Sequence, residues 1–278
     1  MTWAGVTLAG GYREWLPPAS LRDSVACYWI SVTPPHHGPA AASVMPDGCT
    51  DLIWQSGRGA FIAGPDTGPA PTQLAAGTVL VGARFWPGAG GPAFGVPLAE
   101  LRDQRVEVSD CLPGLARQLP ADLTPDRAFS AMASACHQFV AVRPPDRLVR
   151  HATNLLAHGQ TTVAGLCDTL ALSERQLRRR FDDTVGYGPK TMQRVLRFRR
   201  VLAQLTVTPD ADLANLAVQV GYSDQAHLTR EVSRLAGLTP AALARTLRPA
   251  GSSRVEPART AASRAGEDAS PGDESSAA

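Results

Sequence analysis

Residues 213–225 read Leu-Ala-Asn-Leu-Ala-Val-Gln-Val-Gly-Tyr-Ser-Asp-Gln, and residues 237–240 read Gly-Leu-Thr-Pro. Apolar side chains recur at helical spacing from Leu213 to Val220, which predicts a short helix with one apolar face. Gly221 suits a tight turn after that helix. Either Ser223 or Asp224 can cap the helix that follows. This stretch therefore predicts a helix, a tight turn and a second helix.

An earlier stretch of the chain repeats this pattern. Residues 166–173 correspond to residues 216–223 at an offset of 50, and past the turn the offset becomes 51. Ser173 and Gln176 have the spacing of a capping box, in which each side chain bonds the other residue's backbone N–H. Solenoid arrays usually need at least three repeats to bury a core, and only two are present. The repeat therefore predicts two helix-turn-helix units in tandem.

The apolar positions also predict which side chains of each second helix face outward. Leu177 and Phe181 are one turn apart and turn the first of these helices inward, as Leu228 and Val232 turn the second. The side chains expected on the outer faces are Arg175, Arg178 and Arg179 in the first unit and Gln225, Ala226, Thr229 and Arg230 in the second, with His227 at the boundary.

A single helix is expected over 190–206, between the two units, with its apolar side formed by Met192, Val195, Leu196, Val201, Leu202 and Leu205. A rigid helix at this place would fix the distance between the two outward faces. That arrangement suits entry into two successive major-groove segments of a duplex, about 34 Å apart.

Residues 147–247 resemble the DNA-binding domain of the AraC/XylS family of transcriptional regulators, most specifically over residues 213–225 and 237–240. The resemblance implies base reading by one helix of each unit. The positions that match the family's base-reading residues are Arg175, Arg178, Arg179, Gln225, Ala226, His227 and Arg230. Arginine pairs well with guanine and glutamine with adenine. The alternative for the arginines is phosphate neutralisation or a solvated surface.

Six further basic residues are expected at DNA phosphates, on the surface or in ion pairs within one helix, and these are Arg180, Lys190, Arg194, Arg197, Arg199 and Arg200. The chain also departs from the family pattern. Leu228 and Val232 stand where the family has aromatic residues, Leu243 and Ala244 replace an aromatic–arginine pair, and Gly188 replaces a serine. Smaller apolar side chains keep the core role but leave room for cavities.

The chain before residue 143 has a different character. Residues 34–97 are rich in glycine and proline, and short runs typical of strands lie at 50–54, 60–63 and 78–85. This pattern predicts a small antiparallel barrel or sandwich. Helices are expected over 98–105 and 124–142, the second with Thr124 as N-cap and Pro125 at its first position. Residues 45–53 and 82–88 resemble the sensor-like domain of a little-characterised subgroup of the same regulators.

The predicted fold class is α+β, with a β-rich N-terminal domain that also carries helices and an all-α C-terminal domain of two helix-turn-helix units. The predicted division is an N-terminal sensor or dimerisation domain over 1–142, a linker over 143–146, the DNA-binding domain over 147–249 and a disordered tail over 250–278. Residues 1–146 contain 9 basic and 12 acidic residues, and residues 147–249 contain 15 and 8, a net charge of +7. This asymmetry is expected where only one part of a chain meets a polyanion.

Composition excludes several classes of protein. No apolar run reaches the ~18 residues of a membrane span, and the N-terminus lacks the pattern of a signal peptide, so a cytoplasmic protein without membrane contact is expected. The five cysteines are an odd number without paired spacing, which disfavours disulfides and zinc sites. His36 and His37 have no third ligand nearby, and neither a metal nor another cofactor is expected.

The main hypothesis is a sequence-specific transcription factor controlled through its N-terminal domain, and not an enzyme. Its candidate partners are double-stranded DNA, RNA polymerase, a small-molecule effector and a second copy of the chain. One alternative is a regulator whose β domain binds a protein partner. Another is a DNA-modifying enzyme with Cys49 as acceptor, although nothing basic adjoins Cys49 in sequence to lower its pKa. Asp47 and Asp51 form either an acid–base pair or the polar face of a hairpin.

Overall fold

The structure is a computed structural model, and it describes residues 11–34, 40–159 and 161–247. Its first part is built on antiparallel strands, as the glycine- and proline-punctuated runs predict. The strands in the described residues are β1 (Gly11–Trp15), β2 (Val25–Val32), β3 (Ala40–Val44), β4 (Thr50–Gln55), β5 (Gly59–Ala63), β6 (Ala70–Leu74), β7 (Val79–Phe85) and β8 (Arg105–Glu107). His36 and His37, the 250–278 tail and residues 1–10 lie outside the described residues.

The strands form two sheets. Six of them pair in the order β1-β2-β7-β4-β5-β8, and β3 pairs with β6 in a separate two-stranded sheet. Every pairing is antiparallel. The centre of the larger sheet is β7, which bonds β2 on one side and β4 on the other. The predicted β-rich N-terminal part is thereby confirmed.

The larger sheet has two apolar faces, because successive side chains on a strand point to opposite sides. On β4, Leu52 and Trp54 belong to the main core with helices α1 (Gly90–Phe94) and α4 (Pro125–Val142). Ile53, between them, belongs to a second cluster on the other face with Trp29. Tyr12 of β1 and Leu74 of β6 pack against that second cluster.

The second face depends on a glycine in the central strand. Gly82 of β7 lies opposite Trp29 of β2 in the ladder. A Cβ at Gly82 would lie 2.0 Å from Cε2 of the Trp29 indole. The indole therefore occupies the space of a missing side chain, and its Nε1 donates a 2.8 Å hydrogen bond to Oδ1 of Asp51.

Replacing Gly82 with alanine is expected to displace this indole. The overlap should lower the free energy of unfolding by ~1–3 kcal/mol, the usual cost of overpacking, as measured by chemical denaturation. Gly114→Ala is the control, because outside its chain neighbours and its own helix backbone no atom of the described residues lies within 4 Å of a Cβ at that position. Equal stability of both variants and the wild type would contradict the account.

The prediction of a helix over 98–105 is wrong beyond its first turn. Leu98–Leu101 is a short 3-10 helix, and Arg105–Glu107 is strand β8. Asp103 between them has a φ of 58° in the left-handed region, which ends helical geometry. Its carboxylate accepts bonds from the backbone N–H and the hydroxyl of Thr67. These bonds between Asp103 and Thr67, which are 36 residues apart, explain the turn at Asp103.

The longer helix expected over 124–142 is confirmed as α4 (Pro125–Val142). Thr124 is its N-cap residue, although its side chain makes no capping bond, and Pro125 occupies the first helical position. Two short helices, α2 (Val108–Cys111) and α3 (Pro113–Ala116), precede α4. Ala128, Met132, Ala135 and Cys136 on one side of α4 are buried in the main core.

In the second part of the chain the described secondary-structure elements are all helices, as predicted. Its helices are α5 (Arg147–Ala157), α6 (Val163–Leu170), α7 (Glu174–Thr184), α8 (Pro189–Val207), α9 (Leu213–Val220), α10 (Gln225–Ala236) and α11 (Pro240–Leu247). The connecting helix expected over 190–206 is α8, one residue longer at each end. No helix in the described residues is long and apolar enough to cross a membrane.

The repeat produces two separate hydrophobic cores. Leu166, Leu177 and Phe181 are buried in the first core, and their counterparts Leu216, Leu228 and Val232 are buried in the second. Each of Leu228, Val232 and Leu243 is 0% exposed. The substitutions for aromatic residues therefore leave these positions closed to solvent, with α11 packed against α10 and α8.

Asp146, the last residue of the predicted linker, is a structural junction. Its Oδ1 accepts bonds from the backbone N–H groups of Leu148 and Val149 and so caps α5. Its own N–H donates to the carbonyl of Gly88, just after β7. Its Oδ2 lies 2.7 Å from Nη1 of Arg180 on α7.

Two more contacts join the parts of the chain on either side of Asp146. Arg102 Nε donates a 2.8 Å bond to the carbonyl of Gly186, at the end of the first helix-turn-helix unit. Arg150 of α5 forms an ion pair with Asp23. The β-rich part is thus attached chiefly to the first unit, while Met45 packs against the core of the second.

Candidate nucleic-acid interface

The first candidate reading helix is α7. Ser173 Oγ accepts a bond from the Gln176 backbone N–H, and Gln176 Oε1 accepts one from the Ser173 N–H at 2.9 Å. The capping box expected from the sequence is therefore present. Leu177 and Phe181 are buried and fix the rotation of the helix about its axis. The turn before α7 places Ala171 at a φ of 50°, where a glycine would be unstrained.

The arginines predicted on the outer face of α7 are exposed. Arg175, Arg178 and Arg179 all lie on the surface. Arg178 forms a 3.5 Å pair with Asp182 one turn later, and its side chain is still 77% exposed. In the described residues Arg175 and Arg179 form no ion pair, so both guanidinium groups are available to an external anion or base.

The second candidate reading helix is α10. Gly221 ends α9 in the left-handed region with a φ of 86°. Of the two caps left open by the sequence, Asp224 is the one that the structure contains, because its carboxylate accepts a 2.7 Å bond from the His227 backbone N–H. That N–H is the main reason why the pKa of Asp224 is lowered. The charged cap also suits the positive end of the helix dipole.

The side chains predicted on the outer face of α10 lie where the repeat places them. Gln225, Ala226 and Arg230 are exposed, and Thr229 and His227 are half-buried. The His227 ring packs edge-on against Tyr222, with centroids 5.1 Å apart, and its Nδ1 lies 3.1 Å from Ser223 Oγ. His227 is therefore held in one orientation at the border of the exposed face.

Ion pairs between helices were missed by the sequence reasoning. Arg194 of α8 bonds Glu231 of α10 through both Nε at 2.6 Å and Nη2 at 2.9 Å. Arg180 pairs with Asp146. For both arginines the sequence predicted phosphate contacts, a surface position or pairs within one helix, and the last of these is wrong. The partners are 37 and 34 residues apart in sequence, a separation at which no local pattern identifies them.

A polar cluster in the β-rich part differs from both alternatives that the sequence left open for Asp47 and Asp51. Asp47 and Asp51 both flank Arg84, with Asp51 Oδ1 3.1 Å from Arg84 Nε and Asp47 Oδ2 3.6 Å from Arg84 Nη1. Their side chains are 17% and 14% exposed. They therefore form neither a free acid–base pair nor a solvated hairpin face. Burial raises the pKa of Asp51 against the opposing charge of Arg84.

Cys49 follows Asp47 in this cluster, and its backbone N–H donates to the Asp47 carboxylate. Burial and the charge of Asp47 raise the pKa of the Cys49 thiol well above its ordinary value, although Arg84 acts in the opposite direction. A raised pKa keeps the sulfur as a thiol, which is a poor nucleophile. The described residues contain no group of three or more histidine, cysteine or acidic side chains suited to a metal ion.

The Arg194–Glu231 pair generates a prediction about stability. The pKa of Glu231 is lowered because the bonds and charge of Arg194 outweigh burial. The carboxylate therefore stabilises the fold above its ordinary pKa of 4.5, and this contribution is lost as the pH falls through the lower folded value. Glu231→Gln should cost ~1 kcal/mol at neutral pH, as for a partly exposed pair.

Thermal unfolding from pH 7 to pH 3 measures this effect. The difference in Tm between the wild type and Glu231→Gln should shrink below about pH 4.5. Glu100→Gln provides the control, since Glu100 is exposed and forms no ion pair in the described part of the chain. A difference that persists unchanged at pH 3 would show that the charge of Glu231 does not stabilise the fold.

Comparison with known proteins identifies both parts of the chain. Residues 166–246 match a family described as a helix-turn-helix domain. Residues 13–107 match a family described as a domain of unknown function, DUF6597. The first match covers both candidate reading helices, α7 and α10. The second covers β2 to β8 and the last three residues of β1.

Two relatives in sequence are transcription regulators. An AraC-like transcription regulator of Streptomyces lividans is 39% identical over 80 residues, which are 28% of this chain and 26% of the relative. The HTH-type transcriptional regulator VirS of Mycobacterium tuberculosis is 33% identical over 96 residues, which are 34% of this chain and 27% of the relative. The chain thus spans about a quarter of the length of each relative.

Solved structures of two regulators also resemble the chain. An AraC family transcriptional regulator of Rhodopseudomonas palustris has a TM-score of 0.34 at 19% identity and covers 37% of this chain and 100% of its own. ToxT of Vibrio cholerae has a TM-score of 0.44 at 8% identity and covers 80% of this chain and 99% of its own. These scores are low, and the matches in sequence carry the assignment. The chain therefore contains a helix-turn-helix domain of the AraC type, preceded by a domain of the DUF6597 family.

Proposed function

We propose that the chain is a sequence-specific DNA-binding regulator of transcription that acts in the cytoplasm and is not an enzyme. The observation that carries the proposal is the pair of capped helices, α7 and α10, in a matched AraC-type domain, each with its predicted polar face exposed. The net charge of +7 over residues 147–249 supports a polyanionic partner. Double-stranded DNA is that partner.

The two helices are proposed to read successive major-groove segments. The helix α8 joins the two units without interruption from Pro189 to Val207 and packs into the cores of both. This connection holds the units at a fixed distance, as a duplex with equivalent groove segments one turn apart requires. Arg175, Arg178 and Arg179 read the first segment, and Gln225, Ala226, His227 and Arg230 read the second.

Base contacts by these residues have a direct test. Arg179→Ala and Arg230→Ala should each weaken binding by ~1–3 kcal/mol and relax the base preference at one position. The probe is a duplex selected from a random library by the wild-type protein, measured by gel shift at fixed salt. Arg117→Ala removes one equal charge from an exposed site just after α3 and should leave affinity unchanged. Unaltered affinity and preference in the α7 and α10 variants would refute the assignment.

Control through the N-terminal domain is the second part of the proposal. The contacts of Gly88 with Asp146 and of Arg102 with Gly186 attach the β-rich part to the unit that contains α7. A change in that part, caused by a small-molecule effector or by pairing with a second copy, would reach the first reading helix through these bonds. RNA polymerase as a further partner stays a prediction from the sequence.

Removing one of these bonds tests the coupling. Arg102→Ala should reduce the protection of backbone amides around Gly186 by ~0.5–1.5 kcal/mol, the net value of one hydrogen bond, as measured by hydrogen exchange. DNA affinity should change with it. Arg58→Ala is the control, because Arg58 pairs with Glu107 within the β-rich part. Identical exchange around Gly186 in both variants would rule out this route.

A further inference from the structure

Three arginines lie on one side of the connecting helix α8, at positions 194, 197 and 200. Residues three apart on a helix are neighbours on its surface. The first, Arg194, is neutralised by its two bonds to Glu231. In the part of the chain that the structure describes, Arg197 and Arg200 form neither an ion pair nor a hydrogen bond. The side of α8 therefore holds two cations without a countercharge.

Each of the two cations lies beside a different helix-turn-helix unit. The Arg197 guanidinium lies 5.1 Å from the centre of the Tyr222 ring, in the turn before α10. A Cβ at Gly221 in that turn would lie 3.9 Å from Arg197 Nε. A Cβ at Gly159, past the end of α5, would lie 3.1 Å from Arg200 Nη1. The pair therefore stands between the segment leading to α6 and the turn leading to α10.

Three buried polar atoms of the pair and its surroundings lack a hydrogen-bond partner among the described residues. They are the Nε atoms of Arg197 and Arg200 and the hydroxyl of Tyr222. Burial, and then the charge of Arg197, lower the pKa of Arg200. Burial raises the pKa of Tyr222 to about 12, so the phenol keeps its proton at neutral pH. Two adjacent cations and a phenol together favour an anion.

The remaining parts of both guanidinium groups can reach solvent, because Arg197 and Arg200 are half-buried. The planar guanidinium fork matches the oxygens of a phosphate group. The stack on Tyr222 holds Arg197 in place before any ligand arrives, which reduces the entropy lost on binding. The described geometry therefore suits a phosphate group.

We propose that Arg197 and Arg200 bind a phosphate group of the DNA backbone between the two segments read by α7 and α10. This inference rests on the proposed function and adds a contact that none of the base-reading residues makes. Both units approach one face of a duplex, so the intervening backbone must pass the helix that joins them. Phosphate contacts fix the register of a protein on DNA without reading its sequence. Arg197 and Arg200 would therefore fix the register of both reading helices.

The salt dependence of DNA binding tests the proposal. The probe is a 40-base-pair duplex of mixed sequence, since a phosphate contact needs no operator. Each lost contact should reduce the slope of log K against log salt concentration by ~0.9. Arg200→Gln should lose about one contact and the double variant Arg197→Gln/Arg200→Gln about two. Arg117→Gln, which removes the same charge from the turn after α3, should keep the wild-type slope.

Stability separates binding from a structural role. Arg200 is destabilised by burial and by Arg197, so Arg200→Gln should keep or raise the Tm in chloride buffer while it weakens DNA binding. The double variant also loses the contact between Arg197 and Tyr222. If it unfolds for that reason, Arg200→Gln alone decides between DNA binding and a structural role. A lowered Tm with an unchanged salt slope would overturn the proposal.

Further outcomes distinguish free phosphate from DNA phosphate, and failure of the phosphate contact from failure of the proposed function. Inorganic phosphate and chloride are compared at equal ionic strength, and the wild type should gain more Tm from phosphate than Arg200→Gln does. If that difference appears while the DNA slope is unchanged, the site binds free phosphate and the DNA contact is refuted. If Arg179→Ala and Arg230→Ala weaken binding to the selected duplex but Arg200→Gln leaves the slope unchanged, only the phosphate contact fails. If the wild type binds no duplex, the proposed function itself fails.

Discussion

The structure depends on one helix that belongs to two hydrophobic cores. Met192 and Val195 of α8 are buried in the first unit, and Phe198, Val201, Leu202 and Leu205 are buried in the second. Because close-packed cores resist deformation, neither unit can rotate about α8 without leaving apolar side chains unpacked. The bidentate bond from Arg194 to Glu231 adds a polar restraint between α8 and α10. The two exposed faces are therefore held together as one surface.

The β-rich part adds a restraint of a different kind. Its attachment includes single hydrogen bonds, such as Arg102 with the Gly186 carbonyl, an exposed ion pair between Arg150 and Asp23, and close backbone contacts. A Cβ at Gly186 would lie 2.8 Å from the carbonyl oxygen of Leu98, so the two backbones approach closely there. Contacts of this type are individually weak and can be exchanged at small cost. They suit an interface that must rearrange when either the β-rich part or the first unit changes.

Local patterns in the sequence predicted the helices of the second part of the chain and their outer faces. Ser173 and Gln176 are three residues apart, so the cap of α7 follows from physics that acts within one turn. The choice between Ser223 and Asp224 could not be made, because both side chains suit a cap and only the local backbone geometry selects one. The outer faces of α7 and α10 were predicted by the periodicity of Leu177, Phe181 and their counterparts.

Long-range contacts account for what the sequence did not reveal. The helix expected over 98–105 fails because Asp103 bonds Thr67, 36 residues away. The strand runs were recognised, but the order β1-β2-β7-β4-β5-β8 was not, since pairing depends on contacts between distant segments. Arg84 could not be placed beside Asp47 and Asp51 for the same reason.

The position of Asp146 has a practical consequence for dividing the chain. The two prolines before it predict a linker, yet Asp146 caps α5 and pairs with Arg180 of α7. A fragment that begins at Arg147 would have a frayed first helix and an unpaired arginine, and its DNA binding would misrepresent that of the whole protein. A boundary placed before Asp146 retains both interactions.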